Sequence, residues 1–234
     1  MKPIKYLTLI SLIFLLTACH LQEGFSNSAN AKIQSLSRLA KKPNTASSKT
    51  VAVKYNGSFY SIPGKYSDII IVNKSFPLSK DYNPGENPQA KSAFLKLKVQ
   101  MKKQGFALSD QYSGFRSYET QSQLYENYVI RDGKENADLY SARPGYSEHQ
   151  TGLAFDLIDS QGNLLEEKSA SDWLFRHAPD YGFIVRYLPE KEKITGYRAE
   201  SWHIRYIGKE ASEIAHSGKT LEEYLGIKGG YYKK

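Results

Sequence analysis

From about residue 54 onward, the spacing of apolar residues switches repeatedly between a strand-like and a helix-like pattern. The run Asp68-Ile69-Ile70-Ile71-Val72 is short and β-branched, which predicts a strand. Prolines and a glycine in Asp81-Tyr82-Asn83-Pro84-Gly85-Glu86-Asn87-Pro88 predict a loop. Beyond it Ala90, Ala93, Phe94, Leu97 and Met101 keep helical spacing and Gly105 supplies a stop, so residues 88–104 are expected to form an amphipathic helix with lysines on its outer face. The pattern then predicts a strand at 111–115 and a helix at 118–129, ended by Asp132-Gly133. Further strands follow at 153–158, 182–187 and 202–206, and helices at 167–177 and 208–217. No internal repeat is present. Mixed order with several non-hairpin connections predicts an α+β fold, a small mixed or antiparallel sheet with helices packed on it.

The N-terminal region has a different texture. Lys2 and Lys5 precede an apolar run from Tyr6 to Leu16 that is too short to cross a ~30 Å hydrocarbon core as a helix, so it reads as an export signal. The run ends in Leu16-Thr17-Ala18-Cys19, which resembles the bacterial lipobox, and Cys19 is the only cysteine of the chain. Cleavage before Cys19 and attachment of a diacylglycerol are expected, since two acyl chains anchor stably where one is marginal. Residues 20–54 are rich in Ser, Asn, Ala, Lys and Gln with scattered large apolar residues, a composition that builds no core, although a short helix near 32–40 fits the pattern. A flexible segment of that length reaches on the order of 32 Å. The expected organisation is a signal peptide over 1–18, a lipidated cysteine and tether over 19–54, and one folded domain over 55–234, held on the extracytoplasmic face of a bacterial plasma membrane and facing the cell wall.

Composition narrows the classes further. The 234 residues are 40% apolar and 13% aromatic, with 32 Lys plus Arg against 24 Asp plus Glu, which excludes an acidic disordered tail and a polytopic membrane protein. Removing residues 1–18 takes away two lysines and no acid, which lowers the formal charge from +8 to +6. Dispersed lysines on an exported chain do not form a nucleic-acid footprint. The excess matches an anionic cell wall, or a solvated basic surface without a partner.

Two polar clusters interrupt the hydrophobic pattern. In Ser147-Glu148-His149-Gln150-Thr151-Gly152-Leu153-Ala154-Phe155-Asp156, strand alternation puts Leu153, Phe155 and Leu157 on one face and Ala154 with Asp156 on the other. The second cluster is Glu200-Ser201-Trp202-His203. His149, Asp156 and His203 match the three protein ligands of a reactive zinc site with a fourth position left for water, and no thiolate is available for a closed structural site. Glu200 is the candidate proton acceptor. In a regular strand residues 200 and 203 face opposite sides, so Glu200 is expected in a turn or bulge just before the strand that carries His203. His177 and His216, at helix C-termini, have an ordinary structural reading. The motifs His-Glu-x-x-His and Gly-x-Ser-x-Gly are absent, which disfavours a zincin and a serine hydrolase.

Ser-x-His-x-x-Gly-x-Ala-x-Asp followed 44 residues later by Glu-x-Trp-His resembles the M15 family of zinc D,D- and L,D-carboxypeptidases, the VanY and LdcB/DacB types of peptidoglycan metabolism. Ser113-Gly114-Phe115-Arg116-Ser117-Tyr118-Glu119-Thr120-Gln121 and Gly182-Phe183-Ile184-Val185-Arg186-Tyr187 are similar to two further segments of that family, in the same order. The resemblance covers roughly residues 69–226. It implies a hedgehog/D-Ala-D-Ala-peptidase-like fold, one zinc ion held by His149, Asp156 and His203, and Glu200 as the base that later protonates the leaving amine. It also implies that Arg116 meets the oxyanion or the substrate carboxylate, and that Gln121, Ser147, Tyr187 and Trp202 line the substrate, with Ser141 and Arg143 weaker candidates. The implied substrates are peptidoglycan stem peptides. Pro77-Leu78-Ser79-Lys80-Asp81-Tyr82-Asn83-Pro84-Gly85 and Ser141-Ala142-Arg143-Pro144-Gly145-Tyr146-Ser147-Glu148-His149 look like the LdcB/DacB-type lipoproteins, which favours an L,D-carboxypeptidase that converts tetrapeptide to tripeptide. The alternatives are a D,D-carboxypeptidase on pentapeptides and a non-catalytic wall-binding module. The expected assembly is a monomer.

Overall fold

The structure, a computed structural model, describes residues 52–232. The export signal, Cys19 and nearly all of the tether lie outside the described residues. Among those described, no helix is long and apolar enough to cross a membrane.

The fold is α+β, with two antiparallel sheets where one was expected. Strands β1 (Lys54–Tyr55), β2 (Tyr60–Pro63) and β3 (Asp68–Ile71) form a three-stranded sheet in that order. Strands β4 (Leu108–Ser113), β5 (Ala154–Asp159), β6 (Phe183–Tyr187) and β7 (Glu200–Tyr206) form the second, in the order β4-β5-β7-β6. β1 and β2 carry too few apolar residues in too short a run to show in the periodicity; Ile62 alone is fully buried.

Helix α1 (Pro88–Lys103) matches the sequence expectation closely. Asn87 caps it by accepting from Ala90 N–H, Pro88 stands where a missing N–H costs nothing, and Ala90, Phe94, Leu97 and Met101 are fully buried. That stripe packs on Phe155, Leu157, Phe183 and Ile204 of the four-stranded sheet, with the Phe94 and Phe155 rings stacked 4.7 Å apart. Burial of Phe155 and Leu157 on this face sends Ala154 and Asp156 to the other, as the alternation requires. A second apolar cluster joins Ile62, Ile69 and Ile71 to Ala211, Ile214 and Leu221.

Boundaries shift where local chemistry overrides periodicity. β4 ends at Ser113 rather than 115, because the chain turns at Gly114, where an added Cβ would lie 2.0 Å from Glu86 Oε1. Helix α2 (Tyr118–Asp132) runs to Gly133, whose φ of 79° ends it, and short helix α3 (Lys134–Ala137) follows. Helix α4 (Lys168–His177) lies as expected, and α5 (Glu192–Thr195) is an addition. The helix expected at 208–217 opens as a 3-10 turn, Gly208–Glu210, before α6 (Ala211–His216). The last helix, α7 (Leu221–Leu225), was not anticipated, although Thr220 and Glu223 form a capping box that is visible as Thr-x-x-Glu in the sequence.

Candidate active site

The polar face of the four-stranded sheet lies under the loop that joins α3 to β5. That loop closes in a 3-10 turn, Glu148–Thr151, stopped by Gly152 at φ 70°. A side chain at Gly152 would be strained, and its Cβ would lie 2.0 Å from the Gly85 carbonyl oxygen. The turn therefore docks on the 81–88 loop, and the Gly152 carbonyl accepts from Asn87 N–H. This fixes His149, which is buried beside β5.

Asp156 on β5 is the direct cross-strand partner of His203 on β7, and Ser113 on β4 partners Asp156 from the other side. His149 Nε2 is 3.1 Å from Asp156 Oδ2, and His203 Nδ1 is 3.0 Å from Asp156 Oδ1. Each residue offers one ligand atom, all within 4.8 Å of one another. The far nitrogens are also fixed. His149 Nδ1 lies 2.7 Å from the Gly114 carbonyl, so it carries the proton and leaves Nε2 with a free lone pair. His203 Nε2 lies 3.3 Å from Glu148 Oε2, so Nε2 is committed to that carboxylate and Nδ1 is the nitrogen that faces Asp156. Asp156 Oδ1 is buried without a hydrogen-bond partner of acceptable geometry, although His203 Nδ1 lies 3.0 Å away. Two imidazole nitrogens and a buried carboxylate converging on one point fit a bound metal ion.

Glu200 reaches the same point by a distortion of the strand. The β6–β7 register passes from Val185 opposite Ile204 to Tyr187 opposite Glu200, so two residues of β6 are matched by four of β7. This bulge turns Glu200 and His203 to one side, with Oε2 3.7 Å from Nδ1. Glu200 was expected ahead of the strand; it is instead its first residue, with the bulge inside the strand. Burial pushes its carboxyl up to about 7, against the pull of His203.

These groups open into a cavity of about 450 Å³ whose walls include Arg116, Ser141, Ser147, Tyr187 and Trp202. Arg116 stands on the turn between β4 and α2, where Ser117 caps the helix and Arg116 N–H donates to the His149 carbonyl. The Tyr187 ring lies 5.0 Å from that of His203, and Trp202 both lines the cavity and packs against the core. Gln121 is not part of the wall. It is buried behind Arg116, accepts from Nη1 at 2.7 Å and donates to the Ala142 carbonyl, so it braces the guanidinium. Arg143 is engaged elsewhere, paired with Asp138 at 2.7 Å and stacked on Tyr232.

Glu148 carries a role that no local sequence pattern marks. It is buried with Arg186, Arg205 and Glu222, and its carboxylate accepts from both arginines. Burial alone would raise its pKa, but Arg186, Arg205 and His203 hold it well below the usual carboxylate range. Arginines at core positions of β6 and β7 were the available signal.

A sequence model of the VanY D-alanyl-D-alanine carboxypeptidases matches residues 85–209, more than half of the chain and every residue of this cluster except Glu222. The chain belongs to the VanY family. Within it, the putative carboxypeptidase YodJ of Bacillus subtilis is 38% identical over 176 residues, a match that covers 71% of this chain and spans 64% of that relative's length. The crystal structure of the L,D-carboxypeptidase DacB from Streptococcus pneumoniae is 63% identical, with a TM-score of 0.77 over 78% of this chain and 100% of that one. A VanY-family D,D-pentapeptidase of the VanB-type vancomycin resistance cassette, solved with Zn(II), is 32% identical, with a TM-score of 0.58 over 67% of this chain and 97% of that one.

Proposed function

We propose that the protein is a zinc-dependent L,D-carboxypeptidase that removes the C-terminal D-alanine from tetrapeptide stems of peptidoglycan. The observation that carries the reading is the convergence of His149, the Asp156 carboxylate and His203, with Glu200 and Arg116, on one cavity. The L,D preference is supported by the 63% identity to the solved chain of an L,D-carboxypeptidase, all of which is covered. Zinc held by the three side chains supplies a Lewis acid that polarises the scissile carbonyl and activates water near neutral pH.

The chain's own groups do the rest. Glu200, buried and with its pKa raised to about 7, takes a proton from the attacking water and returns it to the leaving amine of D-alanine. Arg116, braced by Gln121 and Ser113, presents guanidinium N–H groups to the oxyanion or the terminal carboxylate. Tyr187 and Trp202 close the cavity around the stem peptide. A pure wall-binding module has no need of a buried base beside the metal ligands.

The D,D-carboxypeptidase reading is favoured by the family match itself, whose description is D-alanyl-D-alanine carboxypeptidase. Incubation with tetrapeptide and pentapeptide muropeptides separates the two. Chelator-sensitive release of D-alanine from tetrapeptide supports the proposal, release from pentapeptide alone supports the second reading, and release from neither rejects both. The proposal includes a diacylglycerol on Cys19 that holds the domain outside the plasma membrane. The lipobox-like Leu16-Thr17-Ala18-Cys19 supports it, and loss of membrane association on Cys19→Ser tests it.

A further inference from the structure

We infer that Glu148 is a positioning residue that fixes the His203 ring with Nδ1 towards the metal site, and that this is why a neutral four-charge cluster is buried behind it. His203 and Arg205 stand two residues apart on β7 and project to the same face, while Arg186 comes from the neighbouring β6. Glu148 lies beneath all three. Its Oε1 is committed to Arg186 Nε at 2.8 Å and Arg205 Nη1 at 2.9 Å, which leaves Oε2 to the His203 Nε2 proton. Arg186 also holds Glu222 of α7 through both Nη groups, and Glu222 accepts from Asn73 Nδ2. Arg205 Nη2 donates to the Ile70 carbonyl. The carboxylate is thus clamped from two strands, one helix and the small sheet, so its second oxygen has a fixed place.

Stability alone does not account for the arrangement. Desolvating four charges costs about as much as their mutual attraction returns, and an apolar cluster of the same volume often serves a fold equally well. An apolar cluster cannot hold an imidazole in one tautomer. Partners that donate or accept at the far nitrogen of a metal-ligating histidine set its tautomer and orientation, and their loss weakens metal binding about 10- to 100-fold.

This inference rests on the metal reading of His149, Asp156 and His203. The test uses the zinc-loaded full-length protein, with ring-nitrogen NMR of the histidines and zinc affinity measured by competition with a chromophoric chelator. The expected spectrum has the His203 proton on Nε2, protected from exchange, and Nδ1 carrying the lone pair towards the metal. Glu148→Gln is expected to bind zinc about 10- to 100-fold more weakly. Glu222→Gln, which disturbs the same cluster without touching His203, is expected to weaken zinc binding less than Glu148→Gln does while lowering thermal stability. A His203 proton on Nδ1, wild-type affinity in Glu148→Gln, or equal loss in Glu222→Gln overturns the inference. Should Glu148→Gln fail to fold, the wild-type spectrum decides alone. Absence of zinc binding by the wild-type protein defeats the metal reading and this inference with it, whereas zinc binding with an unprotected Nε2 defeats this inference only.

Discussion

Asp156 and His203 face each other across the β5–β7 ladder, with Asp156 Oδ1 3.0 Å from His203 Nδ1 and without a hydrogen bond. A buried carboxylate oxygen left without a hydrogen bond is costly, which supports the proposed cation at this point. Asp156→Asn keeps the shape and removes the charge. It is expected to fold and to lose stoichiometric zinc, measured by elemental analysis after dialysis, and to release no D-alanine.

Glu200→Gln separates chemistry from binding. The three proposed ligand side chains remain, so zinc content is expected to be unchanged while turnover falls by about 10²- to 10⁴-fold, the usual contribution of a positioned acid–base group. Steady-state release of D-alanine at saturating substrate measures it.

Arg116 and Gln121 form a graded pair. Arg116→Met removes the donor itself and is expected to lower kcat by about 100-fold or more. Gln121→Ala leaves the guanidinium in place but frees it from its 2.7 Å acceptor, so a smaller loss is expected. Equal losses would place Gln121 on the substrate after all.

How far the site was legible in the sequence follows from these residues. The triad and Glu200 could be read because short motifs carried them and because strand alternation sent Asp156 away from Phe155 and Leu157. Gln121 could not be placed, since its side of α2 depends on where the Ser113–Ser117 turn aims the helix. The bulge in β7 could be inferred from Glu200 and His203 but not located. Glu148 was missed because its partners come from strands 38 and 57 residues away, a distance no local pattern spans. Helix α1 was legible through its buried stripe, whereas the buried Ile62 of β2 packs in a cluster with Ala211, Ile214 and Leu221, distant in sequence.

The same stripe yields a stability prediction. Phe94 is fully buried against Phe155, Tyr112 and Phe183, so Phe94→Ala is expected to cost about 3–5 kcal/mol in urea unfolding. Val99, half-exposed on the opposite side of α1, is expected to change stability by less than about 0.5 kcal/mol when replaced by Ala.

Lys74 gives a pH-dependent prediction away from the site. It is buried, donates to the Asp138 and Gly196 carbonyls, and lies over the Tyr197 and Tyr232 rings. Burial pushes its ammonium down to about 8, against the attraction of Asp138 and with some repulsion from Arg143. Below pH 8 both folded and unfolded chains hold the proton. Between about 8 and 10.5 the unfolded chain binds more, so the Lys74 contribution raises stability as pH rises through that window. The slope of unfolding free energy against pH is expected to be less positive in Lys74→Met over the same range.

The coordination sphere itself is the most direct test. A crystal structure of the zinc-loaded protein, with anomalous scattering at the zinc edge, is expected to show one ion about 2.0–2.2 Å from His149 Nε2, a carboxylate oxygen of Asp156 and His203 Nδ1. An ion bound elsewhere, or held without one of these three side chains, would contradict the account.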